Sequence, residues 1–271
     1  KFTEQVLKKD TYSCVHVNYN INSLMFGLMN MMNGVKNGTR GYIPIMTNTS
    51  KIIVALDYTN PLDALEMAAK LRDVVDGFKI NHALWSQSVY IKDYTKDNEL
   101  FIDCKLWDTP NTVKQVLQKI VDKGATMATI CTQNSESVFE AIQPFASMTK
   151  LLGVTYLTSW DGQERTALYN NTVEQMWETS IDKMIKYKFA GVICSPLDIK
   201  TIKFVKPYNH LIKVCPGIQT KNYESKKDQK RVTTPKEGQQ LGADFLVIGR
   251  SITESSDPID TIQNIRQSLS A

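Results

Sequence analysis

Histidine is scarce in this chain: 271 residues hold three, His16, His82 and His210. They lie far apart and no two share helical i, i+4 spacing, which excludes an HExxH zinc site. Cysteine is no better arranged. Cys14, Cys104, Cys131, Cys194 and Cys215 contain no CxxC pair and are odd in number, which argues against a zinc ribbon and against a disulfide framework. Free thiols in a reducing compartment are expected instead. No run reaches the roughly 18–20 apolar residues of a membrane span; the richest early stretch, residues 21–32, is interrupted by Asn22, Gly27 and Asn30. Charge of one sign is lacking too. With 32 Lys and Arg against 28 Asp and Glu, the net charge of +4 is too mild and too mixed for a nucleic-acid clamp or a polybasic membrane arm, although it suits a small acidic ligand. The first residues lack a leader pattern, and Glu4 and Asp10 argue against an organelle presequence. A soluble cytoplasmic protein with no nucleic-acid or membrane partner is expected, and Asn37-Gly-Thr39 is then a chance match to a glycosylation sequon.

What is present changes character near residue 50. Residues 1–48 hold five of the ten Met and seven Asn, with Gly34, Gly38 and Gly41 clustered behind them. Within this extension Ile21, Leu24, Met25, Leu28, Met29 and Met32 recur at helical spacing, the pattern of one amphipathic packing helix. Residues 49–271 form a second, regular domain. Short β-branched runs at 52–57, 77–80, 100–105, 126–131, 151–156, 191–194, 211–214 and 245–248 alternate with helical stretches such as 61–75, 110–123, 173–187 and 258–269. Eight strand-helix units in about 220 residues match the count and size of an α/β fold, the (β/α)8 TIM barrel. A doubly wound open sheet gives a similar alternation, but no GxGxxG follows the first strand to support its dinucleotide-binding version.

Barrel strands alternate between the interior and the helix-facing side. Ile52, Val54 and Leu56 then face the helices while Ile53, Ala55 and Asp57 face inward; Lys79 is inward in the second strand, and Phe101, Asp103 and Lys105 in the third. Three adjacent strands therefore aim Asp57, Lys79, Asp103 and Lys105 at the barrel axis near their C-terminal ends. Buried charge costs several kcal/mol unless it is paired. Barrels are normally plugged by Val, Ile and Leu, and the C-terminal face is where barrel enzymes keep their chemistry, so the cluster reads as a functional site more readily than as a salt-bridge plug. Asp108 falls beyond the strand, just before Thr109, a candidate cap, and Pro110 at the first helical turn. On its own Asp108 reads as a carboxylate favoured by the helix dipole. At the opposite side, Gly217 and Gly249 permit close backbone approach, Arg250 offers a fork of donors to a phosphate, and the polar segment 221–231 reads as a lid.

The stretch Asp103-Cys-Lys-Leu-Trp-Asp-Thr-Pro-Asn-Thr112 resembles the DxKxxDxPxT signature of the orotidine 5′-monophosphate decarboxylase family. Further landmarks recur in the family's order: Ala55-Leu-Asp57, Lys79, Val154-Thr-Tyr-Leu-Thr-Ser159, Gly191-Val-Ile-Cys-Ser195, Pro216-Gly-Ile218, Asp228-Gln229 with Arg231, and Val247-Ile-Gly-Arg-Ser-Ile-Thr253. The resemblance covers residues 51–271 and leaves out 1–48. It implies loss of CO2 from C6 of orotidine 5′-monophosphate to give UMP, with no cofactor and no metal. Lys105 is implied as the proton donor to C6, Asp103 as the carboxylate beside the substrate carboxylate, and Lys79 and Asp108 as the remaining members of an alternating Lys-Asp-Lys-Asp array. Asp57 and Lys79 are implied to hold ribose hydroxyls, Thr158 and Ser159 the pyrimidine edge, and Gln229, Gly249 and Arg250 the phosphate. The family's equivalents of Asp108 and Thr112 reach into a partner's site, which implies a homodimer with shared active sites.

The chain departs from the pattern in a few places. Gln219 stands where the family usually has Arg after Pro-Gly-Ile, Ile80-Asn81 replaces a common Val-Gly, and Cys131-Thr-Gln133 stands near the usual position of a His. The sugar-phosphate branch of the superfamily shares DxKxxD but uses Mg²⁺ and a metal-binding Glu at the position of Lys79; a lysine there opposes metal binding. A non-catalytic phosphate-binding barrel is the other alternative, and the intact Asp103, Lys105 and Asp108 speak against it.

Overall fold

The β-branched runs of the regular domain form eight strands because each lies between turn residues and carries apolar side chains on both faces. The computed structural model describes residues 49–271 apart from 88–90, 206–209, 221–222 and 224–230. The strands are β1 (Lys51–Ala55), β2 (Gly77–Asn81), β3 (Glu99–Leu106), β4 (Met127–Cys131), β5 (Lys150–Val154), β6 (Gly191–Ile193), β7 (Ile212–Ile218) and β8 (Phe245–Ile248). They pair in chain order, all parallel, and β8 closes on β1. This is the (β/α)8 barrel expected from the alternation. The amphipathic helix expected over residues 21–32, with the rest of the extension, lies outside the described residues.

Strand parity separates two apolar layers. Ile53, Ala55, Phe101, Met127, Leu152, Val154, Ile193, Val214, Phe245 and Val247 pack together inside the barrel. Ile52, Val54, Leu56, Phe78, Ile80, Leu100 and Ile102 pack with the helices outside it. The helix Pro110–Asp122 shows how the outer layer is built: Val113, Leu117 and Ile120 recur on one face and are buried, each contributing about 1.5–3 kcal/mol of burial free energy. Its neighbour in kind, Val173–Lys186, begins with a capping box between Thr172 and Gln175, which satisfies otherwise orphaned N–H groups. Among the described residues no helix is long and apolar enough to cross a membrane.

Three local differences from the sequence reading bear on the site. The strand expected to stop at residue 214 runs on to Ile218, taking in Pro216 and Gly217 through a register shift between Cys215 and Ile218. Proline lacks a ladder donor and is tolerated at such a bulge, and Gly217 takes φ 81°, which favours glycine. The helix expected over 61–75 ends at Leu71. Thr109 does occupy the N-cap of Pro110–Asp122 but its side chain makes no capping bond; its hydroxyl meets that of Thr112 at 3.0 Å instead.

Candidate active site

The C-terminal ends of β1, β2 and β3 bring four charged side chains together, as the parity argument requires. Lys79, buried in β2, places Nζ 3.0 Å from Asp57 Oδ1, just beyond β1, and 3.8 Å from Asp103 Oδ2 in β3. Lys105 Nζ donates to Asp103 Oδ1 at 2.9 Å. The charges thus alternate in space: Asp57, Lys79, Asp103, Lys105. Burial works to raise the Asp103 carboxyl, but the Lys79 and Lys105 ammoniums and hydrogen bonds from Lys105 and Thr129 outweigh it and hold the group below its ordinary value. Burial pushes the neighbouring Cys131 thiol up to about 11, so it stands as a neutral weak donor at pH 7 rather than as a nucleophile.

The backbone here is bent out of regular strand geometry. Between Ile102 and Leu106 the β3–β4 register shifts, and Lys105 takes φ 47°, a left-handed conformation that costs a residue with a side chain about 1–2 kcal/mol. Such strain persists where surrounding structure holds it, typically at functional positions.

Beside the array lies a cleft of about 670 Å³ at the mouth of the barrel, large enough for a mononucleotide-sized ligand. Asp57, Lys79, Asp103 and Lys105 line one side; Thr158 and Ser159, beyond β5, line another. Gln219, just past β7, with Gly249 and Arg250, just past β8, line the β7–β8 end, where Gly249 also approaches Ala55 and Asp57. That end has the features of a barrel phosphate site, with Arg250 opening the short helix Arg250–Thr253. Asp108 and Thr112 are exposed and lie outside the cleft lining. The Asp108 carboxylate accepts from the N–H of Thr109. Gln229, with most of the segment expected as a lid, falls outside the described residues.

Two residues that the charge pattern did not single out as site residues belong to the array. Asn81 donates to Asp57 Oδ1 at 3.0 Å while its own carbonyl oxygen accepts from the Leu84 N–H, opening the helix His82–Ser86. Thr129, in β4, donates to Asp103 Oδ1 at 3.1 Å and accepts from the Lys105 N–H at 2.8 Å. The signal for Thr129 was its inward parity, between Met127 and Cys131, as a polar side chain in an apolar plug.

Comparison with known proteins gives a consistent result. Residues 50–265 match the family model described as orotidine 5′-phosphate decarboxylase / HUMPS family. The orotidine 5′-phosphate decarboxylase of Dictyoglomus thermophilum is 34% identical over 246 residues, covering 83% of this chain and 97% of that protein. That of Wigglesworthia glossinidia brevipalpis is 31% identical over 229 residues, covering 81% and 97% respectively. Among solved structures, the orotidine 5′-phosphate decarboxylase of Lactobacillus acidophilus superposes with a TM-score of 0.68 at 24% identity, over 82% of this chain and all of that one, which speaks to the fold. A match that begins where the barrel begins, together with relatives a third identical along nearly their whole length, makes this chain a member of the orotidine 5′-phosphate decarboxylase / HUMPS family.

Proposed function

We propose that the chain decarboxylates orotidine 5′-monophosphate to UMP, the last step of de novo pyrimidine biosynthesis, without cofactor or metal. The observation that carries this reading is the Lys79–Asp103–Lys105 arrangement at one side of the cleft. The C6–CO2 bond breaks, its electron pair stays on C6, CO2 leaves, and the Lys105 ammonium gives C6 a proton. A vinyl carbanion there has no adjacent carbonyl to accept charge, so an enzyme must supply something like 20 kcal/mol. Proton donation alone contributes about 10²–10⁴ in rate. The remainder falls to fixed charges near C6 and to binding energy from remote groups, the phosphate above all.

The other residues take the roles that the family resemblance implies for them. Asp57 and Lys79 hold ribose hydroxyls, Thr158 and Ser159 the pyrimidine edge, and Gln219, Gln229, Gly249 and Arg250 the phosphate. Lys79 also bears on the Mg²⁺-dependent sugar-phosphate alternative: an ammonium 3.0 Å from Asp57 and 3.8 Å from Asp103 occupies the space a divalent cation would need between them.

Asp108 and Thr112 serve the site of a second copy, so that the enzyme is a homodimer with shared active sites. Their exposure, and that of Trp107 beside them at 70%, supports this, since aromatic side chains are enriched at protein contacts. The barrel domain, 49–271, carries the reaction, and residues 1–48 are an N-terminal extension with one packing helix. A cytoplasmic location agrees with the free thiols of Cys104, Cys131, Cys194 and Cys215.

The deciding measurement is loss of orotidylate absorbance with purified protein in excess EDTA. Turnover is expected; no turnover, or turnover abolished by EDTA, overturns the reading. Sharing is tested by mixing Lys105→Ala and Asp108→Ala subunits, which regain activity if each dimer keeps one intact composite site and regain none if every site is built from a single chain.

A further inference from the structure

The bend at Lys105 removes its peptide from the β3–β4 ladder, and β4 answers with side chains. Thr129 Oγ1 takes the Lys105 N–H at 2.8 Å, and the Cys131 thiol donates to the Lys105 carbonyl at 3.4 Å. Thr129 is 1% exposed, in a layer where valine would serve packing equally well. Its hydroxyl has a second partner. Because the oxygen accepts from the Lys105 N–H, its own proton is directed to Asp103 Oδ1 at 3.1 Å, the oxygen that also receives Lys105 Nζ at 2.9 Å. The two carboxylate oxygens thereby become inequivalent. Oδ1 is committed to Lys105 and Thr129, and Oδ2 is left towards Lys79 at 3.8 Å.

We propose that Thr129 is a positioning residue for the reaction: one hydroxyl fixes both the bent backbone of Lys105 and the rotation of the Asp103 carboxylate. It therefore sets the line from Lys105 Nζ to the carbon that receives its proton. This rests on the reading of Lys105 as proton donor. Without the hydroxyl, Asp103 rotates between its two ammonium partners and the Lys105 N–H is left without its acceptor. Binding of the nucleotide, to which the phosphate contacts beside β7 and β8 contribute most, is little affected.

The test is steady-state turnover of orotidine 5′-monophosphate by the full chain, its Thr129→Val variant and its Thr129→Ser variant. Thr129→Val is expected to lower kcat about 10- to 100-fold with KM within about threefold of the parent. Thr129→Ser, which keeps the hydroxyl, is expected to hold kcat within about threefold of the parent. The acid limb of kcat in Thr129→Val moves to higher pH, because Asp103 loses a hydrogen bond to its charged form. A Thr129→Val enzyme with the parent's kcat overturns the inference, as does a Thr129→Ser enzyme as slow as the valine variant. Should the valine variant not fold, Thr129→Ala is compared with Thr129→Ser by the same criteria. If the parent turns over and the inference alone is wrong, all variants turn over alike; if the parent does not turn over, the functional reading falls and the inference falls with it.

Discussion

At the β1–β3 side of the barrel mouth, Asp103 faces two ammoniums, Lys105 Nζ at 2.9 Å and Lys79 Nζ at 3.8 Å. Beyond β6, Asp198 faces two guanidiniums, Arg231 at 2.6 Å and Arg165 at 3.6 Å. The two groups have the same net charge, but Asp198 is the more deeply buried carboxylate, and they are built differently. Arg231 meets Asp198 with both arms of its fork, at 2.6 and 3.1 Å, and the Ser195 N–H adds a bond at 3.2 Å. Arg165 in turn donates to the Tyr156 hydroxyl, which also accepts from the Trp177 indole. Neither Asp198 nor its two arginines line the cleft, whereas Asp103, Lys79 and Lys105 all do. Burial, with the nearby Asp198 carboxylate, pushes the Tyr156 phenol up to about 12, so that group stays neutral at pH 7. A saturated cluster of planar, bidentate groups is architecture. A cluster of point charges, one carboxylate oxygen of which has only a 3.8 Å neighbour, stands ready for a ligand.

Substitutions should separate the two roles. Lys105→Ala is expected to lower kcat by about 10⁴-fold or more, from loss of the proposed proton donor to C6 and of its fixed charge, while the urea midpoint stays close to the parent's. Retention of a tenth of the parent's kcat would break the contrast. Asp198→Ala should do the reverse. Two partly buried arginines lose the counter-charge of a buried carboxylate, and removal of one partner of such a pair costs about 3 kcal/mol, read from urea unfolding. The kcat of the folded fraction is expected within about tenfold of the parent's; a larger loss with unchanged stability would place Asp198 in the chemistry.

The same contrast decides what could be read from the sequence. Period-two alternation placed Asp57, Lys79, Asp103 and Lys105 on one inner surface because a strand leaves a charged side chain only two directions. Landmarks past the strand ends placed Thr158, Ser159, Gln219, Gly249 and Arg250 around the same cleft. The Asp198–Arg231 pairing was not legible: its partners lie 33 residues apart on loops whose course no periodicity describes. Thr129 was missed because an uncharged inward residue is ordinary until the distances to Asp103 and Lys105, 24 to 26 residues away, are known. Extension of β7 through Pro216 depends on a bulge, which leaves no hydrophobic pattern. Asp108 and Thr112 sit outside the cleft of their own chain, so their role can be tested only with two copies.

A smaller effect separates the clusters by pH. Asp103 has a folded value below its unfolded one, so its contribution to stability is fully present above the unfolded value near 4 and is lost as pH falls through the folded value. Compared with Asp103→Asn, the parent is expected to be more stable from about pH 5 upward. The difference, smaller than that for Asp198→Ala because the cleft admits water, closes as the solution is acidified. A stability difference that grows on acidification would reverse the sign and remove the ion-pair account of Asp103.

The smallest expected effect lies at the β7–β8 end of the cleft. Gln219 lines it past β7, with its backbone N–H tied to the Thr233 carbonyl at 3.0 Å, so the side chain is carried on a fixed backbone position. A neutral amide contributes about 0.5–1.5 kcal/mol through a hydrogen bond, against about 1.5–3 for a bond to a charged group. Gln219→Arg adds a charge and a second donor arm where the substrate phosphate is proposed to bind. Lengthening the side chain costs some ordering entropy, which takes back part of the gain. KM is therefore expected to fall about fivefold with kcat little changed, because the existing phosphate contacts already supply the binding energy spent on the chemical step and one added contact strengthens ground and transition states alike. A Gln219→Arg enzyme whose kcat rises instead would show that the added contact is made in the transition state and not in the ground state.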